Sequence, residues 1–157
     1  AYIISEAPNG TLQQANNVLK QNLKTWIGEY KMISDTIDIL DAKIVNFGVE
    51  FTVSAKTDAE KTEVLKDCID KIAEEFAAPM QIGEPVPIGK IFNILNKVTN
   101  VDDVKDVTVD PKFTALYSSA TYNFDSRKTP DGKFIVPPKN VIMELKFPNF
   151  DIKGSVI

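Results

Sequence analysis

A strict alternation of apolar and polar residues near the first third of the chain most constrains the fold. Large apolar side chains occupy every second position of this stretch, at Val45, Phe47, Val49, Phe51 and Val53. Successive side chains of a β-strand point to opposite faces of a sheet, so all five share one face. We therefore predict a strand over 43–54 whose apolar face is directed at a hydrophobic core. Gly48 lies within it and indicates a bulge or a close approach of another backbone.

A helix is predicted directly after this strand. Thr57 and Glu60 have the spacing of a capping box, in which two side chains bond to free backbone N–H groups at the helix start. Asp67 and Lys71 have the spacing and orientation of an ion pair on the exposed side. The apolar stripe comprises Val64, Leu65, Cys68, Ile69, Ile72 and Phe76. This spacing of three or four residues is typical of a helix that packs along one side.

The second half of the chain predicts another helix and two more strands. A proline-rich stretch leads into a shorter helix that starts near Ile88 and carries Ile91, Phe92 and Leu95. Further strands are indicated first by Val104, Val107 and Val109, and then by Val141, Met143, Leu145 and Phe147. Helices placed between such strands predict an α+β fold. We expect a mainly antiparallel sheet of about three to four strands with helices packed on one face.

The N-terminal segment predicts an amphipathic helix. A turn at Pro8-Asn9-Gly10 precedes Thr11, which can cap the helix. Apolar residues then recur at helical spacing, at Leu12, Ala15, Leu19, Leu23, Ile27 and Tyr30. The opposite side is polar, so the apolar stripe packs either on the chain's own core or on another subunit. We divide the chain into an N-terminal helical segment, 1–42, and an α+β domain, 43–157.

The stretch 111–140 fits neither a helix nor a strand. It contains four prolines and an Asp131-Gly132 turn, together with Tyr117, Tyr122, Phe124 and Phe134. Irregular connections of this length are usually functional or disordered, and disordered segments are poor in aromatic residues. We therefore predict an irregular excursion that contacts a partner.

The residue types present argue against catalysis. The chain has no histidine and one cysteine, Cys68, which removes imidazole-based triads, most metal sites and any intrachain disulfide. The stretch from Gly83 to Lys90 superficially resembles a phosphate-binding loop, but it has one residue too many between its glycines and two prolines that lack N–H groups. We expect no catalytic residue, no cofactor and no metal site.

Two groups of aspartates could serve as metal ligands or as catalytic acids. The first is Asp35, Asp38 and Asp41, and the second is Asp102, Asp103 and Asp106. Neither has the residue pattern of a calcium loop, and solvated turns and strand edges explain both. A hydrolase that uses two facing carboxylates stays open, because the sequence does not place side chains across a cleft.

Charge and hydropathy exclude two classes of partner. The net charge is −4, and Arg127 is the single arginine among 18 basic residues. Nucleic-acid binding relies on basic patches and on arginine in particular, so we expect no nucleic-acid partner. No apolar run approaches the roughly 20 residues that span a bilayer, so we expect a soluble chain without a membrane partner.

Two stretches carry a resemblance to a known family. The run from Leu23 to Phe51, which includes Tyr30-Lys31-Met32, resembles the C-terminal region of baseplate wedge proteins of large contractile-tailed bacteriophages, within the baseplate J-like group. The closing run from Phe147 to Ile157 is similar to the end of the same proteins. The resemblance implies a structural fragment of a longer subunit that sits in the tail baseplate of the virion and is assembled in the bacterial host cytoplasm.

The resemblance also implies partners. Such subunits dimerise and join neighbouring wedges into a ring, so the expected partners are other copies of this chain and other wedge subunits. No catalytic residue is carried over. The residues expected at partner interfaces are Tyr30, Met32, Tyr117, Tyr122, Phe124, Phe134 and Phe150. The alternative is a generic α+β binding or regulatory module of a bacterial protein.

Overall fold

A computed structural model describes residues 1–56 and 59–157. The helices are α1 (Asn17–Gly28), α2 (Lys61–Glu75), α3 (Ile88–Asn96) and the short α4 (Pro148–Asp151), and Asp125–Arg127 forms a 3-10 turn. The strands are β1 (Tyr2–Ile3), β2 (Ser5–Glu6), β3 (Leu12–Gln13), β4 (Leu40–Asp41), β5 (Lys43–Ala55), β6 (Val86–Pro87), β7 (Val101–Lys112), β8 (Phe134–Ile135), β9 (Val141–Glu144) and β10 (Ile152–Val156). The α+β class predicted from the sequence is confirmed.

The long strand β5 is the centre of a four-stranded sheet. β7 pairs with one side of β5 in antiparallel direction, while β9 and β10 follow one another along the other side and run parallel to β5. The alternating residues of β5 occupy the predicted face, since Val45, Phe47, Val49, Phe51 and Val53 are each no more than 3% exposed. The period of two therefore located both the strand and its buried face.

Helices α2 and α3 complete the core against this face of β5. α2 buries Val64, Cys68 and Ile72, and α3 buries Ile88, Ile91 and Leu95. All six belong to one cluster with the apolar residues of β5. α3 also begins where the sequence predicted, immediately after Pro87.

The ion pair on α2 differs from the sequence prediction, and the predicted capping box is not fully described. Lys71 pairs with Glu74 at 2.8 Å instead of with Asp67, because its ammonium reaches the carboxylate three residues further along the same helix. α2 is preceded by Glu60, whose side chain makes no capping hydrogen bond. The predicted cap Thr57 lies outside the described residues.

The N-terminal helix was predicted to start too early. Leu12 and Gln13 belong to β3 and pair with β2 around the predicted Pro8-Asn9-Gly10 turn, where Gly10 has a φ of 82°. α1 starts later, and its cap is Asn16, whose Oδ1 accepts the Leu19 N–H at 2.7 Å. Hairpin pairing across the turn therefore overrides the helical spacing of the first apolar residues.

The final predicted strand, carried by Val141, Met143, Leu145 and Phe147, is shorter than its alternation, and it is followed by a strand that the sequence did not predict. β9 ends at Glu144, α4 follows from Pro148, and β10 then resumes the same sheet edge. Pro148 favours a helical first turn, and the buried Asp151 carboxylate accepts the Phe147 N–H at 2.8 Å. These two residues close the turn, so the alternation that the sequence shows up to Phe147 does not continue as a strand.

The predicted excursion 111–140 is partly regular. Its first two residues, Pro111 and Lys112, still belong to β7, and β8 pairs with β6 on the main body. The Asp131-Gly132 turn is present, with Gly132 at a φ of 69°. The rest of the excursion is irregular but is attached to the core at both ends.

Candidate interaction surfaces

A group of exposed apolar side chains lies on α1 and on the residues that follow it. We call this group the α1 stripe, and its members are Val18, Leu19, Trp26, Tyr30, Met32 and Ile33. Trp26 is 59% exposed, Tyr30 is 73% exposed and Met32 is 76% exposed. None of the twelve residues of α1 is buried. The helix therefore leaves a surface that its own fold does not cover.

Helix geometry and a ring contact place Leu19, Trp26 and Tyr30 on one side. Leu19 and Trp26 are seven residues apart and so lie almost above one another on α1. The rings of Trp26 and Tyr30 pack at a centroid distance of 5.2 Å with an interplanar angle of 54°. Leu23 and Ile27, on the adjoining side of the helix, are half-buried. One side of α1 thus rests on the chain, and the side with Trp26 is directed at solvent.

Ion pairs and backbone bonds hold α1 in this orientation. Lys20 of α1 pairs with Asp41, the last residue of β4. Lys24 lies 3.9 Å from Asp38 in the segment that returns from α1. That segment ends in β4, which pairs with β1, so the first residues of the chain close the unit. In the first group of aspartates weighed as calcium ligands, Asp38 and Asp41 therefore lie beside lysines.

The residues predicted to contact partners fall into two groups. Tyr30, Met32 and Phe150 are exposed, at 73%, 76% and 75%, and Phe134 is 41% exposed. These four side chains are accessible to another molecule, although Phe134 and Phe150 lie on elements other than α1.

The remaining three predicted residues make contacts within the chain. Phe124 is 3% exposed and belongs to the core. Tyr122 packs on Phe124 at 5.0 Å, and its hydroxyl donates to the Met143 sulfur at 3.2 Å. Tyr117 donates to Asp151 Oδ1 and packs edge-on against Phe147. Burial raises the pKa of Tyr122 to about 12, and the bond to Asp151 raises the pKa of Tyr117 to about 12.

Sequence reasoning missed Val18, Leu19, Trp26 and Ile33 as surface residues. It placed Leu19 in a stripe that packs either on the chain's own core or on another subunit, and it left the other three without a role. A signal was available, because the apolar residues from Val18 to Ile27 span about half of the helix circumference at 100° per residue. A helix that docks by one stripe needs a narrower apolar arc, so the excess indicates a second contact.

A buried polar junction attaches the excursion and the N-terminal hairpin to the sheet. Asn46 is 1% exposed, and its amide donates to Glu144 Oε2 at 2.7 Å. Its Oδ1 accepts the Ser118 N–H at 2.8 Å. Glu144 Oε1 accepts the Leu12 N–H at 2.8 Å. These bonds give the buried amide of Asn46 the hydrogen-bond partners that a buried polar group requires. They also join four distant parts of the chain.

The single cysteine and the lysine of the stretch that superficially resembles a phosphate-binding loop each have a defined environment. Burial, and to a lesser extent Asp67, raises the pKa of the Cys68 thiol to about 11, which makes it a poor nucleophile. Lys90, the last residue of the loop that superficially resembles a phosphate site, pairs with Glu75. Residues 1–56 and 59–157 hold no group of three or more side chains suited to a metal ion.

Two open clefts accompany these surfaces. One of about 620 Å³ lies between the start of α3 and β8 and is lined by Phe92, Lys133 and Phe134. The other, of about 630 Å³, lies over the polar junction beside Tyr117 and Lys146. Ser118, Glu144 and Lys43 are among the other residues that line this second cleft.

The fold and its surfaces define an α+β domain with an uncovered apolar stripe on its N-terminal helix. No protein-family model matches the sequence, and no curated protein is significantly similar to it. Within the part of the chain that is described, no helix has both the length and the apolar character needed to cross a membrane.

Proposed function

We propose that this chain is a structural assembly domain of a baseplate wedge in a contractile bacteriophage tail. It acts through contacts between copies of itself and with other wedge subunits. The exposed α1 stripe is the observation that carries this proposal. The resemblance of the stretches from Leu23 to Phe51 and from Phe147 to Ile157 to wedge proteins supports the particular assembly. In this proposal the chain is part of a longer subunit of the virion, and it needs no cofactor.

The exposed apolar area supports an interface. Exposed side chains of this size each present on the order of 100–200 Å², so the six of the stripe offer roughly 600–1,200 Å². Apolar patches on ordinary monomers reach about 300–600 Å², and a standard interface buries about 800 Å² per partner. The stripe is therefore large enough to form most of one side of a specific interface.

In this proposal the N-terminal helix acts as an amphipathic helix with two contact sides. Half-buried Leu23 and Ile27 rest on the chain, and Trp26 and Leu19 dock on a neighbouring subunit. Aromatic residues and methionine are enriched at the centres of interfaces, and the stripe contains Trp26, Tyr30 and Met32. Lysines of α1 that pair with Asp38 and Asp41 keep the helix oriented before it docks.

Sedimentation velocity over a concentration series tests the proposal. We expect the wild-type chain to associate as its concentration rises, and we expect Trp26→Ser to weaken this association by at least about tenfold. Phe113→Ser is a matched control, because Phe113 is 60% exposed and Trp26 is 59% exposed. It removes a similar apolar area elsewhere and should leave association unchanged.

Two outcomes would contradict the proposal. A wild-type chain that stays monomeric at all concentrations would favour the alternative, a generic α+β binding module. Equal effects of Trp26→Ser and Phe113→Ser would show that association depends on general surface hydrophobicity and not on the stripe.

A further inference from the structure

Strand β7 has one open edge. Its residues from Asp106 to Lys112 pair with Thr52 to Asn46 of β5 without a register shift. On the side away from β5, no hydrogen bond from another described segment reaches the backbone of residues 102–112. An open edge of this kind presents unpaired N–H and C=O groups, to which another chain can add a strand.

The usable length of this edge is limited at both ends. Register shifts opposite Thr52–Val53 and Ser54–Ala55 disturb β7 before Asp106, and bulges of this kind hinder continuous pairing. Pro111 lacks an N–H group, which ends donation at the other end. The regular open stretch is therefore 106–110, long enough for about five residues of an added strand.

The side chains of this stretch alternate by face. Asp106, Thr108 and Asp110 lie on the face opposite the helices, in register with Thr52, Glu50 and Gly48. Val107 and Val109 share the core face with Phe51 and Val49. Asp106 and Asp110 are exposed, and neither forms an ion pair with any residue in 1–56 or 59–157.

These charges disfavour a second copy of this chain in the symmetric register that uses the whole open stretch. An antiparallel pair of two β7 edges centred on Thr108 would place Asp106 of each copy opposite Asp110 of the other. Like charges directly opposite one another across strands are destabilising. Opposite charges at the same two positions are stabilising, so the edge favours a strand with a basic residue at each end.

We propose that the open edge of β7 binds an extended segment of a different protein chain. The segment carries lysine or arginine at two positions four residues apart, opposite Asp106 and Asp110, with apolar residues opposite Val107 and Val109. Its backbone pairs with residues 106–110, and its two cations neutralise the two free carboxylates. This surface is separate from the α1 stripe, and the inference does not depend on self-association.

Peptide titration followed by amide NMR of the full chain tests this inference. The probe is the synthetic peptide Ser-Lys-Val-Thr-Val-Lys-Ser, and the matched peptide has glutamate in place of both lysines. We expect the lysine peptide to shift the amide resonances of 106–110 and to bind roughly tenfold more tightly than the glutamate peptide. Higher salt should weaken the lysine peptide, since exposed charges are screened.

A charge-reversed variant makes the test specific. Asp106→Lys combined with Asp110→Lys should reverse the preference and bind the glutamate peptide more tightly. Asp67→Lys combined with Asp70→Lys is the control, because both residues are exposed on α2 and the change in net charge is the same. This control should keep the wild-type preference, and the circular dichroism spectra of both variants report whether they fold.

Several results would overturn the inference. It fails if the lysine peptide leaves the resonances of 106–110 unchanged at millimolar concentration, or if the charge-reversed variant keeps the wild-type preference. Amide protection of 106–110 that rises with protein concentration in the absence of peptide would instead identify a second copy as the added strand.

Discussion

Asn46 and Glu144 are joined by a 2.7 Å hydrogen bond between two parallel strands whose residues are 98 positions apart in the sequence. Glu144 also accepts the Leu12 N–H at 2.8 Å. Glu144→Ala removes both acceptors and leaves the buried amide of Asn46 without this partner. We expect the free energy of unfolding to fall by about 1–3 kcal/mol, measured by urea denaturation with an unchanged m-value.

Two companion variants define this effect. Glu144→Gln keeps one carbonyl acceptor and replaces the other by a donor, so its unfolding free energy should lie between those of wild type and Glu144→Ala. Glu50→Ala removes an exposed glutamate from β5 and should change the unfolding free energy by less than about 0.5 kcal/mol. A loss for Glu144→Ala as small as that of Glu50→Ala would show that the junction contributes little.

The close approach predicted at Gly48 is present and gives a second test. A Cβ atom added at Gly48 would lie 2.8 Å from the carbonyl oxygen of Asp151 and would also meet the flexible end of Lys112. Because this carbonyl belongs to the backbone, the chain at the end of α4 must move to make room for the Cβ atom. We expect Gly48→Ala to destabilise the chain by about 1–3 kcal/mol in thermal or urea unfolding.

Gly28→Ala is the matched control for this substitution. No atom lies within 4 Å of a Cβ added at Gly28, the last residue of α1. Alanine favours the helix over glycine by roughly 0.5–1 kcal/mol, so this variant should be neutral or slightly more stable. Equal losses for the two glycine variants would contradict a steric explanation at Gly48.

The sequence was sufficient to predict those elements whose residues follow a local period. The buried face of β5 and the stripes of α2 and α3 follow from spacing alone, because all the residues of each apolar pattern lie within one element. Asn46 shows the limit of this reasoning. Its position in the alternation indicates solvent, but the excursion at Ser118 covers it, and no local pattern predicts which distant segment lies over a strand.

The candidate interaction surface was predictable in part for the same reason. Tyr30 and Met32 were expected at an interface, while Trp26 was not, because the helical spacing alone does not tell which part of a wide apolar arc the core occupies. The start of α1 was also missed, since Leu12 is drawn into β3 by a hairpin turn and by Glu144. Tertiary contacts decided both points.

The tyrosines of the excursion give a third prediction. Tyr117 donates to the buried carboxylate of Asp151, whereas Tyr122 donates to the sulfur of Met143, a weak acceptor. We expect Tyr117→Phe to lower the unfolding free energy by about 1–3 kcal/mol, because a buried charged acceptor loses a partner. Tyr122→Phe removes a bond to sulfur and should cost less than about 1 kcal/mol.

Alkaline titration gives an independent measurement on the same pair. The pKa of both Tyr117 and Tyr122 is raised from 10.0 to about 12, so the folded chain holds these phenols protonated while an unfolded chain ionises them. Their contribution to stability is present below about pH 10 and is lost as the pH rises towards 12. Absorbance titration should show the phenols of Tyr117 and Tyr122 ionising late, and only one of these two late steps in each Tyr→Phe variant.

The single tryptophan of the chain, Trp26, reports directly on the α1 stripe. Its 59% exposure predicts efficient acrylamide quenching in dilute solution. If copies associate through the stripe, quenching should fall and the emission should shift to shorter wavelength as the concentration rises, because the indole leaves water.

A double variant separates this effect from a local change in α1. Met32→Ser combined with Ile33→Ser removes apolar area of the stripe that lies outside the helix, so quenching of Trp26 should stay high at every concentration. Leu116→Ser, at a residue that is 69% exposed outside the stripe, should behave like wild type. Association detected by sedimentation with unchanged quenching of Trp26 would place the interface on another surface. The reason is that the indole of Trp26 leaves water when the stripe is covered.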